Sequence, residues 1–214
     1  MTDRHANILA LDPGMAHLGW AVFRILHDGD PHLVDGGTLG SKRSDAKLNI
    51  GTTSDNFRRA RLGAAHLLSL VNQYDVRAIV AESMSFPRSS SAAAKMAMCW
   101  GSIALLSELR SLPVLQVSPQ RIKEVCAVER PPKVPRVPPG DTVAKALAEK
   151  NKRLVKAKSK DDVQTAMKRR FPTLESILLG MPKGEREHAA DACGAMVAAL
   201  SLDEIRTIRS MLMR

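Results

Sequence analysis

The chain is poor in aromatic residues. Two Trp, one Tyr and four Phe make up 3% of its 214 residues. That is too few for the stacking platforms on which single strands are bound without sequence preference. Cysteine is scarce as well. Cys99, Cys126 and Cys193 are odd in number and lack the paired spacing of metal motifs, so free thiols in a reducing compartment are expected. No apolar run approaches the ~20 residues that span a bilayer, which sets a membrane partner aside. The opening Met1-Thr2-Asp3-Arg4-His5 is short and polar and leads straight into an apolar run. It leaves no room for a secretory or transit peptide. A cytoplasmic protein, bacterial or viral, is the expectation, with an organelle as the alternative. Phosphate-cradling Gly loops are too few for a sugar-kinase or actin-like ATPase, so no nucleotide cofactor is expected.

Acidic charge is the most unevenly missing feature. The chain has 32 Lys and Arg against 22 Asp and Glu, a formal net charge of +10. Between Arg130 and Lys160, ten Lys and Arg face two acids, which concentrates +8 there. Such a segment calls for a polyanion, nucleic acid first, although a solvated charged insertion has the same composition. Five prolines between 130 and 140 exclude a helix or central strand in that part. The segment reads as a basic, Pro-rich insertion at about 129–157 within one domain covering 1–214.

What is present is an α/β order. Apolar runs predict strands at 7–12, 18–26, 32–39, 75–82 and 113–117. Helices are expected at 56–74, 91–109, 118–126, 161–171, 174–179 and 185–200, with 142–155 helix-prone. In the first helix, Phe57, Leu62, Ala65, Leu68 and Val71 form the apolar stripe, with Arg58, Arg59 and Arg61 opposite and Ser54 or Asp55 as the cap. An opening antiparallel meander followed by crossover strands predicts a mixed five-stranded sheet with helices on both faces.

Two of the strands end in a carboxylate, Asp12 before Pro13-Gly14 and Glu82 before Ser83. Taken alone, Asp12 is equally a turn cap and a ligand. On the last helix His188 and Asp191 are three apart and share a face. Ala189, Ala190, Ala192 and Gly194 are small, so this helix can lie close to a sheet and bring Asp191 toward the strand ends. Three carboxylates with one imidazole make an oxygen-rich pocket. It suits Mg²⁺, or Mn²⁺, which accepts the imidazole more readily. Two ions about 4 Å apart are a device for phosphodiester cleavage.

These residues carry a resemblance. Leu9-Ala10-Leu11-Asp12-Pro13-Gly14 with Gly19-Trp20-Ala21-Val22, then Ile79-Val80-Ala81-Glu82, then His188-Ala189-Ala190-Asp191-Ala192, resemble the ordered motifs of RuvC-type Holliday-junction resolvases. That family belongs to the RNase H-like nuclease superfamily. The likeness covers roughly 7–128 and 157–200. It implies an RNase H-like fold, with Asp12, Glu82 and Asp191 as ligands of two Mg²⁺ per active site. His188 would serve the second ion or handle the water's proton. Lys123 and Lys160 would stand near the scissile phosphate or the DNA backbone, and Arg88 and Lys95 occupy familiar places on the DNA side. Lys133, Arg136 and Lys158 add positive charge from the basic segment. The family works as a homodimer on four-way DNA. Two departures stand out. The insertion is longer than the family's loop, and Ser85 replaces a stacking aromatic that the adjacent Phe86 would have to supply.

The resulting expectation is a metal-dependent endodeoxyribonuclease that resolves Holliday junctions by paired cleavage in recombination and repair. The alternatives are a less selective nuclease of branched DNA or flaps, and a non-catalytic DNA-binding protein on the same fold.

Overall fold

The computed structural model describes residues 5–26, 30–84, 89–126, 149–151 and 161–212. Five strands form one sheet: β1 (His5–Asp12), β2 (His17–Leu26), β3 (His32–Gly40), β4 (Val76–Glu82) and β5 (Val114–Val117), in the order β3-β2-β1-β4-β5. The meander β1-β2-β3 is antiparallel, and β4 and β5 join parallel to β1. The expected mixed sheet is therefore present.

β1 is central and covered on both sides, which explains why its sequence is a nearly continuous apolar run. Alternate residues serve the two cores. Ala6, Ile8 and Ala10 belong to one, Leu9 and Leu11 to the other. Helices α1 (Thr52–Gln73) and α2 (Ser90–Arg110) cover the Leu9/Leu11 face. The opposite face carries α3 (Pro119–Val125), α4 (161–170), α5 (Thr173–Leu179), α6 (Arg186–Ala199) and α7 (Asp203–Leu212). Two helices have side-chain caps: Ser89 Oγ accepts from the Ala92 N–H, and Ser118 Oγ from the Arg121 N–H. No helix among the described residues is long and apolar enough to cross a membrane.

α1 departs from expectation. It starts at Thr52, and its N-cap, Gly51, has no side chain to bond. Asp55, expected as a cap, and Arg59, expected on the solvent side, are both buried at 6% exposure. Phe57, Leu62 and Leu68, expected to face inward, are 59%, 47% and 39% exposed. The reason is visible in the partners. Arg59 donates to Ser41 Oγ (3.0 Å) and to the Met15 carbonyl (3.2 Å). Asp55 accepts from the Ser44 N–H and hydroxyl and from Arg58. These bonds hold its carboxyl down at about 2. The inward stripe is thus Asp55, Arg59, Leu67, Leu70 and Val71, with a polar first half that clamps the β1–β2 turn to the end of β3.

Candidate functional site

The site grows from the sheet register. Leu11 pairs with Ala81 in the parallel β1/β4 ladder, so the next residues, Asp12 and Glu82, emerge side by side at the same sheet edge. Side chains alternate along a strand. Asp12 follows Ala10 and Glu82 follows Val80 onto the face covered by α6.

Two glycines set how closely the helices approach. Asp12 pairs with Gly19 across β1/β2. A Cβ on Gly19 would lie 2.1 Å from the His188 carbonyl oxygen, so only glycine lets the start of α6 reach the sheet. A Cβ on Gly194 would lie 2.7 Å from Ile122 Cγ2, and this notch lets α3 pack against α6. Along α6, Ala189, Ala190, Ala192, Cys193, Gly194 and Ala195 are all buried, as the run of small residues anticipated.

The result is direct contact between two of the anticipated residues. His188 Nδ1 lies 2.7 Å from Asp12 Oδ2. Its Nε2 is 3.5 Å from Glu187 Oε1. Burial acts to lower the His188 pKa. The Asp12 hydrogen bond, with the charges of Asp12, Glu187 and Asp191, outweighs burial and holds it above the ordinary value. The neighbouring charges therefore favour the protonated ring.

Glu82 has the opposite problem. Burial, then the charges of Asp12 and Asp191, push its carboxyl up to about 8, against the weaker pull of Lys123 and His188. Lys123, on α3, is therefore within electrostatic reach of Glu82. Asp191 also raises the buried thiols of Cys126 and Cys193 after their desolvation, that of Cys126 to about 11. All three cysteines are free, Cys126 and Cys193 buried and Cys99 partly so.

Among the described residues, no three His, Cys, Asp or Glu side chains already share the spacing of a metal cage. Asp12 and His188 touch, while Glu82 and Asp191 act on the pair through charge. Burial first, then the charges of Asp12 and Asp191, makes Glu82 costly to ionise. The donor set, carboxylate oxygens with one imidazole, fits Mg²⁺ or Mn²⁺. A divalent cation there would relieve the repulsion that raises Glu82.

The other anticipated DNA contacts separate. Lys95 is on α2, partly buried, and is not among the charges acting on Glu82. Phe86, Arg88, Lys133, Arg136, Lys158 and Lys160 lie outside the described residues, as does the 129–157 insertion apart from 149–151. Sequence reasoning missed His17, whose ring stacks on His188, and Arg59, which holds the turn after Asp12. Position alone marked them: His17 starts the strand that returns after Asp12, and Arg59 falls one helical turn after Asp55.

No family model matches the chain, and no curated protein sequence matches it. Solved structures do. Thermus thermophilus RuvC matches with a TM-score of 0.57 at 17% identity, over 94% of this chain and 97% of that one. The same protein in complex with a Holliday-junction substrate matches at 0.56 and 17%, over 91% and 92%. The yeast mitochondrial Holliday junction resolvase matches at 0.51 and 14%, over 96% and 84%. The shared architecture extends over nearly the whole of each chain, and this protein has the fold of the RuvC-type resolvases.

Proposed function

We propose that this protein is a divalent-metal-dependent endonuclease that cuts branched DNA, four-way junctions first. One observation carries the reading: the Asp12–His188 contact at the sheet edge that also bears Glu82, with Asp191 and Lys123 within electrostatic reach. A pure DNA binder has no need of carboxylates gathered where a phosphate would approach. The RuvC fold supports the junction as substrate.

Asp12, Glu82, Asp191 and His188 would hold two Mg²⁺, with Mn²⁺ as the alternative. When bound, the ions supply water activation and neutralisation of charge at the leaving oxygen. The chain's own groups do the rest. His188 holds a proton at Nδ1 against Asp12, ready to pass to or from a neighbouring oxygen. Lys123 offers its ammonium to the phosphate near Glu82. The Arg130–Lys160 segment, with Lys133, Arg136, Lys158 and Lys160, grips the backbone, so affinity falls steeply with salt.

The test is cleavage of a synthetic four-way junction with Mg²⁺, Mn²⁺ or chelator. Asp12→Asn should lower cutting by roughly 10²–10³-fold or more, with junction binding retained. A variant that still cuts at the wild-type rate removes Asp12 from the chemistry. At equal salt, a fork or RNA–DNA hybrid cut faster than the junction would favour the less selective nuclease. Tight binding without cleavage in any metal would favour the non-catalytic binder.

A homodimer is part of the same proposal. Leu105 and Leu109, one turn apart on α2, are 60% and 71% exposed. Exposed large apolar side chains grouped on one face mark an association surface. Leu109→Glu should shift sedimentation from dimer to monomer and turn paired cleavage into uncoupled nicks. A variant that stays dimeric places the interface elsewhere.

A further inference from the structure

His17 opens β2 five residues after Asp12, and nothing in the proposed chemistry uses it. It points to the same sheet face as Gly19, two residues on. Gly19 leaves the space into which the His188 backbone descends. The His17 ring therefore lies beside the His188 ring. Their centroids are 5.0 Å apart and their planes differ by 8°. The separation falls within the range of favourable aromatic pairs.

The Nδ1 of His17 is buried and makes no hydrogen bond among the described residues. The contact the side chain does make is through the face of its ring, parallel to that of His188.

His188 needs such a restraint. The torsion that turns an imidazole about its Cβ–Cγ bond is broad. The Asp12 bond selects which edge of the ring faces the carboxylate, and leaves the ring free to tilt about that bond. A parallel ring against one face removes the tilt.

We infer that His17 is a positioning residue, a flat plate that fixes the plane of the His188 imidazole so that its Nδ1 edge stays aimed at Asp12. This rests on the nuclease reading above and adds a residue to it. The cost of losing the plate would fall on turnover, since small misplacements of a reacting group cost up to about 10²-fold.

The experiment compares His17→Leu, which fills the volume without a flat ring, with His17→Phe, which restores the ring without nitrogens. On a four-way junction in Mn²⁺, His17→Leu should lower kcat roughly 10-fold or more and leave KM for the junction near wild type. His17→Phe should recover most of the loss. Side-chain NMR of the metal-free chain gives a second reading. The His188 ring signals should be sharp in wild type and His17→Phe and broadened in His17→Leu. Wild-type turnover in His17→Leu overturns the proposal. So does failure of His17→Phe to recover either readout, which would assign the role to the ring nitrogens. A wild-type protein that cuts no DNA would defeat the nuclease reading instead, and the NMR comparison would still decide whether His17 holds His188.

Discussion

The two faces of the sheet are built by different rules. On the α6 face, small residues meet small residues. Ala10, Ala21 and Ala78 share one core with Ala189, Ala192 and Ala195, and at Gly19 the backbones come close enough to place His188 on Asp12. On the α1/α2 face, Leu9, Leu11, Val22 and Ile79 meet Leu67, Leu70, Ile103 and Leu106 in side-chain packing of the ordinary kind. Where α6 meets the strand ends, the first face gives up apolar bulk for position, while Ile8, Phe23, Leu174 and Met196 supply bulk elsewhere on it. The second buries bulk and leaves other apolar residues outside. The candidate site lies where the backbone, rather than the side chains, sets the spacing.

Breaking the close face should have the largest effect. Gly19→Ala puts a Cβ 2.1 Å from a backbone oxygen, and neither partner is a flexible side-chain tip. The start of α6 must lift. Junction cleavage should fall by roughly 10²-fold or more, and stability by about 1–3 kcal/mol as an overpacked site. Denaturant melts and single-turnover rates check both. A variant with normal turnover would show that the approach at Gly19 is not what positions His188.

The charge held at the same face gives an intermediate effect of opposite sign. Glu82 titrates near 8 when folded, against an ordinary 4.5. The folded state thus keeps a proton that the unfolded chain releases. Stability is fully present below about 4.5 and is lost as pH rises through about 8, by up to ~1.4 kcal/mol per pH unit in that window. Glu82→Gln should raise the melting temperature of the metal-free protein at pH 8 by several degrees. The gain should vanish near pH 4. The same variant should be inactive, and its melting temperature should respond less to Mn²⁺ than that of wild type. Equal melting temperatures at pH 8 would mean that neither burial nor the neighbouring carboxylates make Glu82 costly to ionise.

The far face supplies the smallest effect and the control. A Cβ on Gly63, within α1, meets only Leu18 Cδ2, at 4.0 Å. Gly63→Ala should stabilise by up to ~1 kcal/mol through helix propensity, with cleavage unchanged. A loss of activity there would mean that the two faces are coupled.

Much of this was legible beforehand. The strand-end acids showed where apolar runs stop, and the parallel register then made Asp12 and Glu82 neighbours. The Ala-rich α6 announced a close approach. Ser118, followed by Pro119, announced its helix. The inward face of α1 was not legible, because periodicity assumes that apolar residues turn inward. Here Asp55 and Arg59 are bonded to loop groups that no local pattern reveals. His17 escaped notice for a related reason. A lone histidine gains meaning only from the ring it meets across 171 residues of chain.

The notch at Gly194 has one more consequence. Ile122 is seated in it, so a side chain at 194 would push α3 away from α6 and carry the neighbouring Lys123 with it. One glycine thus sets how far that ammonium stands from the strand that bears Glu82.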